Sequence, residues 1–270
     1  MDYLQRSLAI NNIESSIDLW LDMNLLFDLY ADLPRQAPGS DASTRKALEF
    51  FTDLSANPKI LDLGCGTGAS TLTLAKQLPT ATITALDTFP EFLELLNQRS
   101  EQAGYADRLA TLNCSMAELP FPAHHFDLIW SEGAIYNIGF ETGLAYWRQF
   151  LKPGGAIAVS DVSWLVEYAE IPDEVMRFWQ TEYPAIQSIA ANLNTIARLG
   201  YQNLAHFILP ESDWWQSYYL PIASKMEVLR SRYADDAEAT AWLEQQATEI
   251  EMYRAYSSYY GYVFYCIQTS

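Results

Sequence analysis

Short runs of apolar residues alternate with amphipathic segments through the middle of the chain. Five runs rich in aliphatic and β-branched residues predict β-strands, at residues 59–63, 81–86, 109–114, 126–131 and 156–162. Between them, apolar positions at helical spacing predict helices, at residues 69–78, 90–102 and 143–151. This alternation predicts right-handed βαβ crossovers and a parallel sheet with helices on both faces.

The first part of the chain is predicted to be helical. Apolar positions at helical spacing predict a helix over residues 12–33 that ends before Pro34. A second helix is predicted over residues 42–54, and either Ser40 or Asp41 can cap its start.

The regular alternation of strand and helix stops after the fifth predicted strand, which ends near Asp161. Two helices and two strands follow, at residues 172–183, 185–199, 204–209 and 259–267. An aromatic, acidic and mostly helical insertion over residues 214–258 separates the last two strands.

Composition and charge limit the partners of the chain. It has 270 residues, half of them apolar, with 34 acidic and 16 basic residues and a formal net charge of -18. This charge repels phosphate backbones and anionic lipids, so we expect neither a nucleic-acid nor a membrane partner. Three scattered cysteines and the lack of a His/Cys cluster argue against a disulfide framework and a metal site. Without a signal-peptide pattern or a long apolar run, we expect a cytoplasmic protein.

A glycine-rich segment is the strongest chemical signal in the sequence. The strand at residues 59–63 is followed by Gly64, Gly66 and Gly68 in alternation, and then by a predicted helix. Glycine allows positive φ and leaves no Cβ between the backbone and a ligand. The segment therefore predicts a cradle for an adenosine-bearing cofactor.

Two such cofactors compete for this cradle. The spacing Gly-x-Gly-x-x-Ala that starts at Gly64 satisfies the loose dinucleotide fingerprint, and Asp87 follows at about the expected distance, which favours NAD. Two features favour another cofactor. Asp62 lies inside the strand, where dinucleotide-binding proteins carry apolar residues, and Gly68 adds a third alternating glycine.

With further motifs, the sequence resembles the class I S-adenosylmethionine (SAM)-dependent methyltransferases. The segments that carry the resemblance stand in the family's order and spacing: Ile60–Gly68, Leu86–Asp87, Cys114–Phe121, Phe126–Ser131 and Leu151–Gly155. Three others look like a little-characterised group of bacterial small-molecule methyltransferases: Arg35–Ser40, Ser131–Glu141 and Tyr259–Phe264. This narrower resemblance implies a fold and a cofactor, and no particular substrate.

The resemblance implies a Rossmann-like α/β fold with a mostly parallel seven-stranded sheet that ends in an antiparallel pair. Residues 1–44 would form an N-terminal helical cap, and residues 45–270 the SAM-dependent methyltransferase domain. Within this domain, a helical insertion over residues 213–258 is expected to cover the strand tips as a lid.

The resemblance also implies cofactor-binding roles. The backbone at Gly64 and Gly66 would approach the methionine part and the ribose, and Asp87 would accept hydrogen bonds from both ribose hydroxyls. Asp62 would act on the ammonium group of the cofactor, with tying down the loop backbone as its alternative role. The alternative for Asp87 is to cap the next helix, although a capping box led by Thr88 is expected to do so.

Further positions complete the expected cofactor site. Ser115 and Met116 would face the adenine, where the family usually has an acidic and a small residue. Ser115 can still accept a hydrogen bond, and Met116 either packs on the ring or belongs to the core. Cys65 fits between the glycines as a small packing residue. Gly68 and Ser131 are the remaining members of the set.

Two carboxylates are candidates for work at the methyl acceptor. Glu132 follows the fourth strand and Asp161 ends the fifth, at neighbouring strand tips where open α/β sheets bind ligands. They could bind a cationic substrate, act as a base or hold a divalent metal ion. The remaining alternative is a structural role, such as an ion pair between Glu132 and Arg35.

Aromatic residues gather near the same strand ends. The candidate substrate-binding residues are Arg35, Tyr136, Trp164, Trp214 and Tyr218. Aromatic rings beside carboxylates suit an amine or a quaternary ammonium ion through cation–π contacts. The alternative for these rings is a hydrophobic lid packed on the core.

These residues predict an enzyme that transfers a methyl group in line from SAM to a small molecule and releases S-adenosylhomocysteine (SAH). A protein that binds or modifies SAM without methyl transfer is one alternative, and an NAD-dependent oxidoreductase is the other. Aromatic residues at the surface leave a homodimer open.

Overall fold

The computed structural model of the protein describes residues 24–269. Eight strands form one sheet. Their bounds are β1 Lys59–Leu63, β2 Thr82–Asp87, β3 Leu109–Asn113, β4 Phe126–Glu132, β5 Leu151–Trp164, β6 Gln187–Ser188, β7 Tyr201–Ile208 and β8 Tyr260–Thr269. In β1, Ile60, Leu61 and Leu63 are all fully buried, as expected for a parallel strand that is covered on both faces.

The strand order is β3-β2-β1-β4-β5-β8-β7, and β6 pairs with the end of β5. Strands β1 to β5 are parallel, whereas β8 runs antiparallel to both of its neighbours, β5 and β7. This confirms the expected seven-stranded sheet with its antiparallel pair, and the two-residue β6 adds an eighth strand that was not predicted. The common dinucleotide-binding sheet has the order 3-2-1-4-5-6, without an antiparallel strand inserted beside the fifth.

Helices cover both faces of the sheet. The first described residues, 24–30, are helical. The other helices are Asp41–Leu48, Ala69–Gln77, Pro90–Ala103, Phe140–Trp147, Asp173–Glu182, Ile189–Arg198, Glu211–Trp214, Leu220–Arg232 and Ala237–Tyr256. A π-helical turn, Trp215–Tyr219, joins two of them. Leu74 and Leu96 pack into the core on one face of the sheet, and Leu144 and Trp147 pack into the core on the other.

The helix starts differ in how they are capped. Ser40 caps its helix as expected, because its Oγ accepts a hydrogen bond from the Ser43 N–H at 3.1 Å. The capping box predicted for Thr88 is wrong. Phe89 is the N-cap residue and no side chain caps this helix; instead, Asp87 Oδ1 accepts the Phe89 N–H at 3.1 Å.

Several element boundaries differ from the predictions. The helix predicted over residues 143–151 spans Phe140–Trp147, and the strand predicted to begin at residue 204 begins at Tyr201. The helix predicted over residues 42–54 ends at Leu48. β5 begins at Leu151, earlier than expected, because Leu151 pairs with Phe126 before a register shift. Residues 187–188, predicted to be helical, pair with the end of β5 instead.

Most of the helix predicted over residues 12–33 lies outside the described residues. Residues 24–30 are helical, and Leu25, Leu29 and Leu33 are buried in the core. The division of the chain at residue 45 stays a prediction. Within residues 24–269, no helix combines the length and the apolar character that a bilayer span requires.

Candidate active site

A cavity of about 220 Å³ lies beyond the carboxyl ends of β1, β2 and β4. Of the predicted site residues, ten line it: Arg35, Gly64, Cys65, Gly66, Asp87, Thr88, Ser115, Met116, Glu132 and Tyr136. The others lie outside this cavity: Asp62, Gly68, Ser131, Asp161, Trp164, Trp214 and Tyr218. The structure therefore brings most of the expected cofactor residues together, and it separates the two candidate catalytic carboxylates.

The turn after β1 needs glycine for its own packing. Gly64 and Gly66 have φ values of 70° and 52°, in the left-handed region that other residues avoid. A Cβ on Gly64 would overlap the side chain of Ala134, and a Cβ on Gly66 would lie 2.6 Å from Gln36 Oε1. The Ala134 and Gln36 side chains thus occupy the space that a Cβ on Gly64 or Gly66 would need.

Gly68 and Ser131 support this turn from behind the cavity. A Cβ on Gly68 would overlap the Leu96 side chain, so this glycine allows a helix to pack closely. Ser131 is fully buried and its Oγ donates a hydrogen bond to the Leu63 carbonyl oxygen at 2.9 Å. Both residues shape the turn without reaching the cavity.

Asp87 is the acidic group on the polar side of the cavity. Its Oδ2 accepts a hydrogen bond from the Gly66 N–H at 2.9 Å, and its Oδ1 accepts one from the Phe89 N–H at 3.1 Å. Burial raises the pKa of Asp87, and the backbone donors partly offset this rise. A carboxylate has about four lone-pair sites, so Asp87 can accept two further hydrogen bonds.

Asp62 is fully buried beneath the turn. Its Oδ2 accepts hydrogen bonds from Thr71 Oγ1 at 2.6 Å and from Ser70 Oγ at 3.1 Å. Its Oδ1 has no hydrogen-bond partner among residues 24–269. Burial raises the pKa of Asp62 to about 7. Of its two expected roles, this geometry favours tying the turn to the helix that follows.

Ser115, Met116 and Cys65 form another part of the wall. The Ser115 Oγ accepts the Ala117 N–H at 3.2 Å, so it folds back on its own loop. Met116 is 9% exposed and belongs to the core while lining the cavity. Burial raises the pKa of the Cys65 thiol well above its ordinary value, which fits a packing role.

Glu132 is held in a buried ion pair. Its Oε2 accepts a hydrogen bond from Arg35 at 2.8 Å, and the side chains of both residues are 7% exposed. Its Oε1 accepts from Thr44 Oγ1 at 2.7 Å and from Trp130 Nε1 at 2.9 Å. Arg35 also binds Asp41 Oδ1 at 3.0 Å. These contacts match the structural alternative for Glu132, and they fix the segment Arg35–Pro38 along one side of the cavity.

Asp161 is buried away from the cavity. Its Oδ2 accepts a hydrogen bond from the Tyr183 hydroxyl at 3.1 Å, and its Oδ1 has no partner among the described residues. Burial raises the pKa of Asp161 to about 7. Asp161 therefore does not line the cavity that Glu132 lines, and the catalytic role expected of the two carboxylates stays a prediction.

A second cavity, of about 110 Å³, adjoins the first. Tyr136 and residues 36–38 line both cavities, so the two spaces share a wall. Trp214 and Tyr218, which were predicted to bind substrate, line the second cavity. Trp164 lines neither one, because it is 1% exposed and packs edge-on against Tyr260 in the core.

Several polar residues that line these cavities were not among the predicted site residues, notably Gln36 and Glu249. Gln36 Oε1 accepts hydrogen bonds from the Thr67 N–H at 3.0 Å and from Thr67 Oγ1 at 3.1 Å, and so holds residues 36–38 against the turn. Glu249 lines the second cavity. It lies in the helix Ala237–Tyr256 among several exposed acids, and no local pattern distinguishes it from them.

No group of three or more His, Cys, Asp or Glu side chains within residues 24–269 is arranged to hold a metal ion.

Known proteins share both the sequence pattern and the architecture. Residues 60–155 match a family described as a methyltransferase domain. The chain is 32% identical over 124 residues to the demethylmenaquinone methyltransferase of Tropheryma whipplei strain Twist, covering 46% of this chain and 49% of that protein. The chain spans about half the length, or less, of the first curated relatives it matches.

Two solved structures show the same fold at low sequence identity. YjhP from E. coli has a TM-score of 0.78 and 18% identity, over 92% of this chain and 100% of that one. A SAM-dependent methyltransferase from Geobacter sulfurreducens, solved in complex with SAH, has a TM-score of 0.74 and 20% identity, over 92% and 97% of the two chains. Residues 60–155 thus match the methyltransferase domain, and the chain shares the α/β fold of these two solved structures.

Proposed function

We propose that this protein transfers the methyl group of SAM to a small molecule and releases SAH. One observation carries the proposal. In a class I methyltransferase fold, Asp87 at the end of β2 is held beside the glycine turn in the wall of a cavity at the strand tips. The Geobacter sulfurreducens protein of this fold was solved with SAH, which supports the same cofactor here.

The residues of the first cavity fit SAM. Asp87 has lone pairs left for the two ribose hydroxyls after accepting two backbone N–H groups. We assign the backbone of Gly64 and Gly66 to the methionine part and the ribose, and Ser115 and Met116 to the adenine. This assignment leaves the shared wall of the two cavities as the place where the methyl group meets its acceptor.

The second cavity supplies space for that acceptor. SAM brings an activated methyl group, so the protein's tasks are to align the acceptor with it and to exclude water. A space of about 110 Å³ suits a small molecule, since a cavity of roughly 150 Å³ holds benzene. The helices between β7 and β8 supply Trp214 and Tyr218 to this space, which supports the proposal that residues 213–258 form a lid.

The remaining parts of the proposal concern partners and location. The net charge of -18 supports a cytoplasmic enzyme with neither a nucleic-acid nor a membrane partner. Large apolar side chains are exposed at Tyr168, Leu220 and Val228, which leaves a homodimer open.

Turnover tests methyl transfer directly. The purified protein is incubated with SAM and the small-molecule fraction of a cell extract, and SAH is measured by mass spectrometry. We expect SAH to form with the wild type and not with Asp87→Ala at the same SAM concentration. SAM binding without SAH formation would support a SAM-binding protein that does not transfer the methyl group.

A further inference from the structure

The second cavity has an aromatic wall and a single formal charge. Nine of its sixteen lining residues are aromatic, among them Trp179, Trp214 and Tyr262. None of the sixteen is Lys, Arg or His, and Glu249 is the only acidic residue among them. The described part of the chain therefore gives an anionic ligand no cationic partner in this cavity.

Several polar groups of the wall are either buried in the packing or hydrogen-bonded within the protein. The indole N–H groups of Trp179 and Trp214 are enclosed in the packing, without a hydrogen-bond partner among residues 24–269. A ligand would meet ring surface there instead of donors. The Tyr30 hydroxyl donates to Gln246 Oε1 at 2.9 Å, so it is also engaged within the protein.

Glu249 is different, because its carboxylate stands among these rings. Its Oε1 accepts one hydrogen bond from the Tyr219 hydroxyl at 3.0 Å. Burial raises the pKa of Glu249, which shows that its charge is poorly solvated. A bound cation would stabilise this charge, and aromatic faces also attract cations.

We infer that the methyl acceptor is a small amine, bound in the second cavity as its ammonium form between the Glu249 carboxylate and the aromatic rings. The inference rests on the proposed methyl transfer and names the substrate class of that same site. The space of about 110 Å³ limits the part of the amine held there to a few heavy atoms.

The amine, SAM and Glu249 together account for every proton and electron pair in the reaction. The ammonium ion passes one proton to the Glu249 carboxylate and becomes a neutral amine. The nitrogen lone pair then forms the new C–N bond as the S–CH₃ bond of SAM breaks, and the sulfonium electrons return to sulfur. The products are SAH, a methylated ammonium ion and a protonated Glu249, which releases its proton to solvent.

Three probes of similar size and different charge test the inference. Butylamine, 1-butanol and butyrate are titrated into SAH-loaded protein at pH 7.5, and binding is followed by tryptophan fluorescence, since Trp179, Trp214 and Trp242 line the cavity. We expect butylamine to bind at least tenfold more tightly than butanol, and butyrate not to bind. Glu249→Gln should abolish the preference for the amine. Glu251→Gln, at a 67% exposed carboxylate on the same helix, should keep it.

Equal affinity for butylamine and butanol in the wild type would overturn the inference, and so would an unchanged preference in Glu249→Gln. SAH binding is measured first in each protein, which verifies folding of the variants. Failure of the wild type to bind SAH would instead contradict the proposed function. SAH binding without an amine preference contradicts the substrate class alone.

Discussion

Asp87 Oδ2 accepts a hydrogen bond from the backbone N–H of Gly66, at a distance of 2.9 Å. The contact joins the carboxyl end of β2 to the turn after β1. One carboxylate therefore fixes the glycine turn and also forms the polar side of the cavity. Changes at Asp87 should consequently act on cofactor binding both directly and through the glycine turn.

Replacing Asp87 should weaken cofactor binding. We expect Asp87→Ala to raise the Kd for SAH at least tenfold, because charge-assisted hydrogen bonds are worth about 1.5–3 kcal/mol each. Isothermal titration calorimetry measures the change. Glu91→Ala, at an exposed carboxylate in the next helix, is the control and should leave Kd unchanged. An affinity for Asp87→Ala within twofold of the wild type would rule out the role assigned to Asp87.

Gly64 should not tolerate a side chain. Gly64→Ala places a Cβ at a φ of 70° and against Ala134. Gly104→Ala is a matched control, since Gly104 has a φ of 76° and no atom near its missing Cβ. The control should lose about 1–2 kcal/mol of unfolding free energy for the left-handed backbone. Gly64→Ala should lose about 1–3 kcal/mol more, from overpacking. Urea unfolding compares them, and equal losses would show that contact with Ala134 does not matter.

Breaking the buried ion pair of Glu132 should destabilise the protein. Glu132→Gln leaves the buried Arg35 charge with Asp41 as its remaining carboxylate partner, and we expect a loss of about 3 kcal/mol in unfolding free energy. Glu141→Gln breaks an exposed pair with Arg198 and should cost much less, because solvent screens the two charges. Chemical denaturation gives both values. Unchanged stability with lost turnover in Glu132→Gln would instead make Glu132 catalytic.

Asp161 should make stability depend on pH. Its pKa is raised to about 7 in the folded protein, so its contribution to stability is fully present below its unfolded pKa and is lost as pH rises through about 7. Between pH 5 and pH 8 this contribution should fall by about 3 kcal/mol. Asp161→Asn lacks the titration, so the variant should gain stability relative to the wild type across this range. Urea unfolding measures both proteins at pH 5 and pH 8. The same difference in unfolding free energy between Asp161→Asn and the wild type at the two pH values would contradict the prediction.

Much of the fold could be predicted from local patterns. The five parallel strands and the β7–β8 pair follow from runs of apolar and β-branched residues bounded by turns. The signal is strongest for β1 and β4, because parallel strands covered on both faces are mostly apolar. The early start of β5 at Leu151 and the short β6 depend on pairing with residues distant in sequence. Local patterns carry no information on such pairs.

Part of the candidate site could likewise be predicted from local patterns, and part depends on packing between distant segments. The glycine turn and Asp87 lie next to strand ends, so spacing alone indicated them. The capping role expected of Thr88 was wrong because Phe89, and not Thr88, is the N-cap residue of this helix, and no side chain caps it. Glu249 reaches its cavity only through the packing of the helix Ala237–Tyr256, which no spacing along the chain shows.

The central claim is that the first cavity binds SAM, and the most direct test is to measure which nucleoside cofactor the protein binds. The protein is titrated by calorimetry with SAH and, separately, with NAD⁺ under the same conditions. We expect saturable binding of one SAH per chain and no heat of binding with NAD⁺. Binding of NAD⁺ without binding of SAH would contradict it.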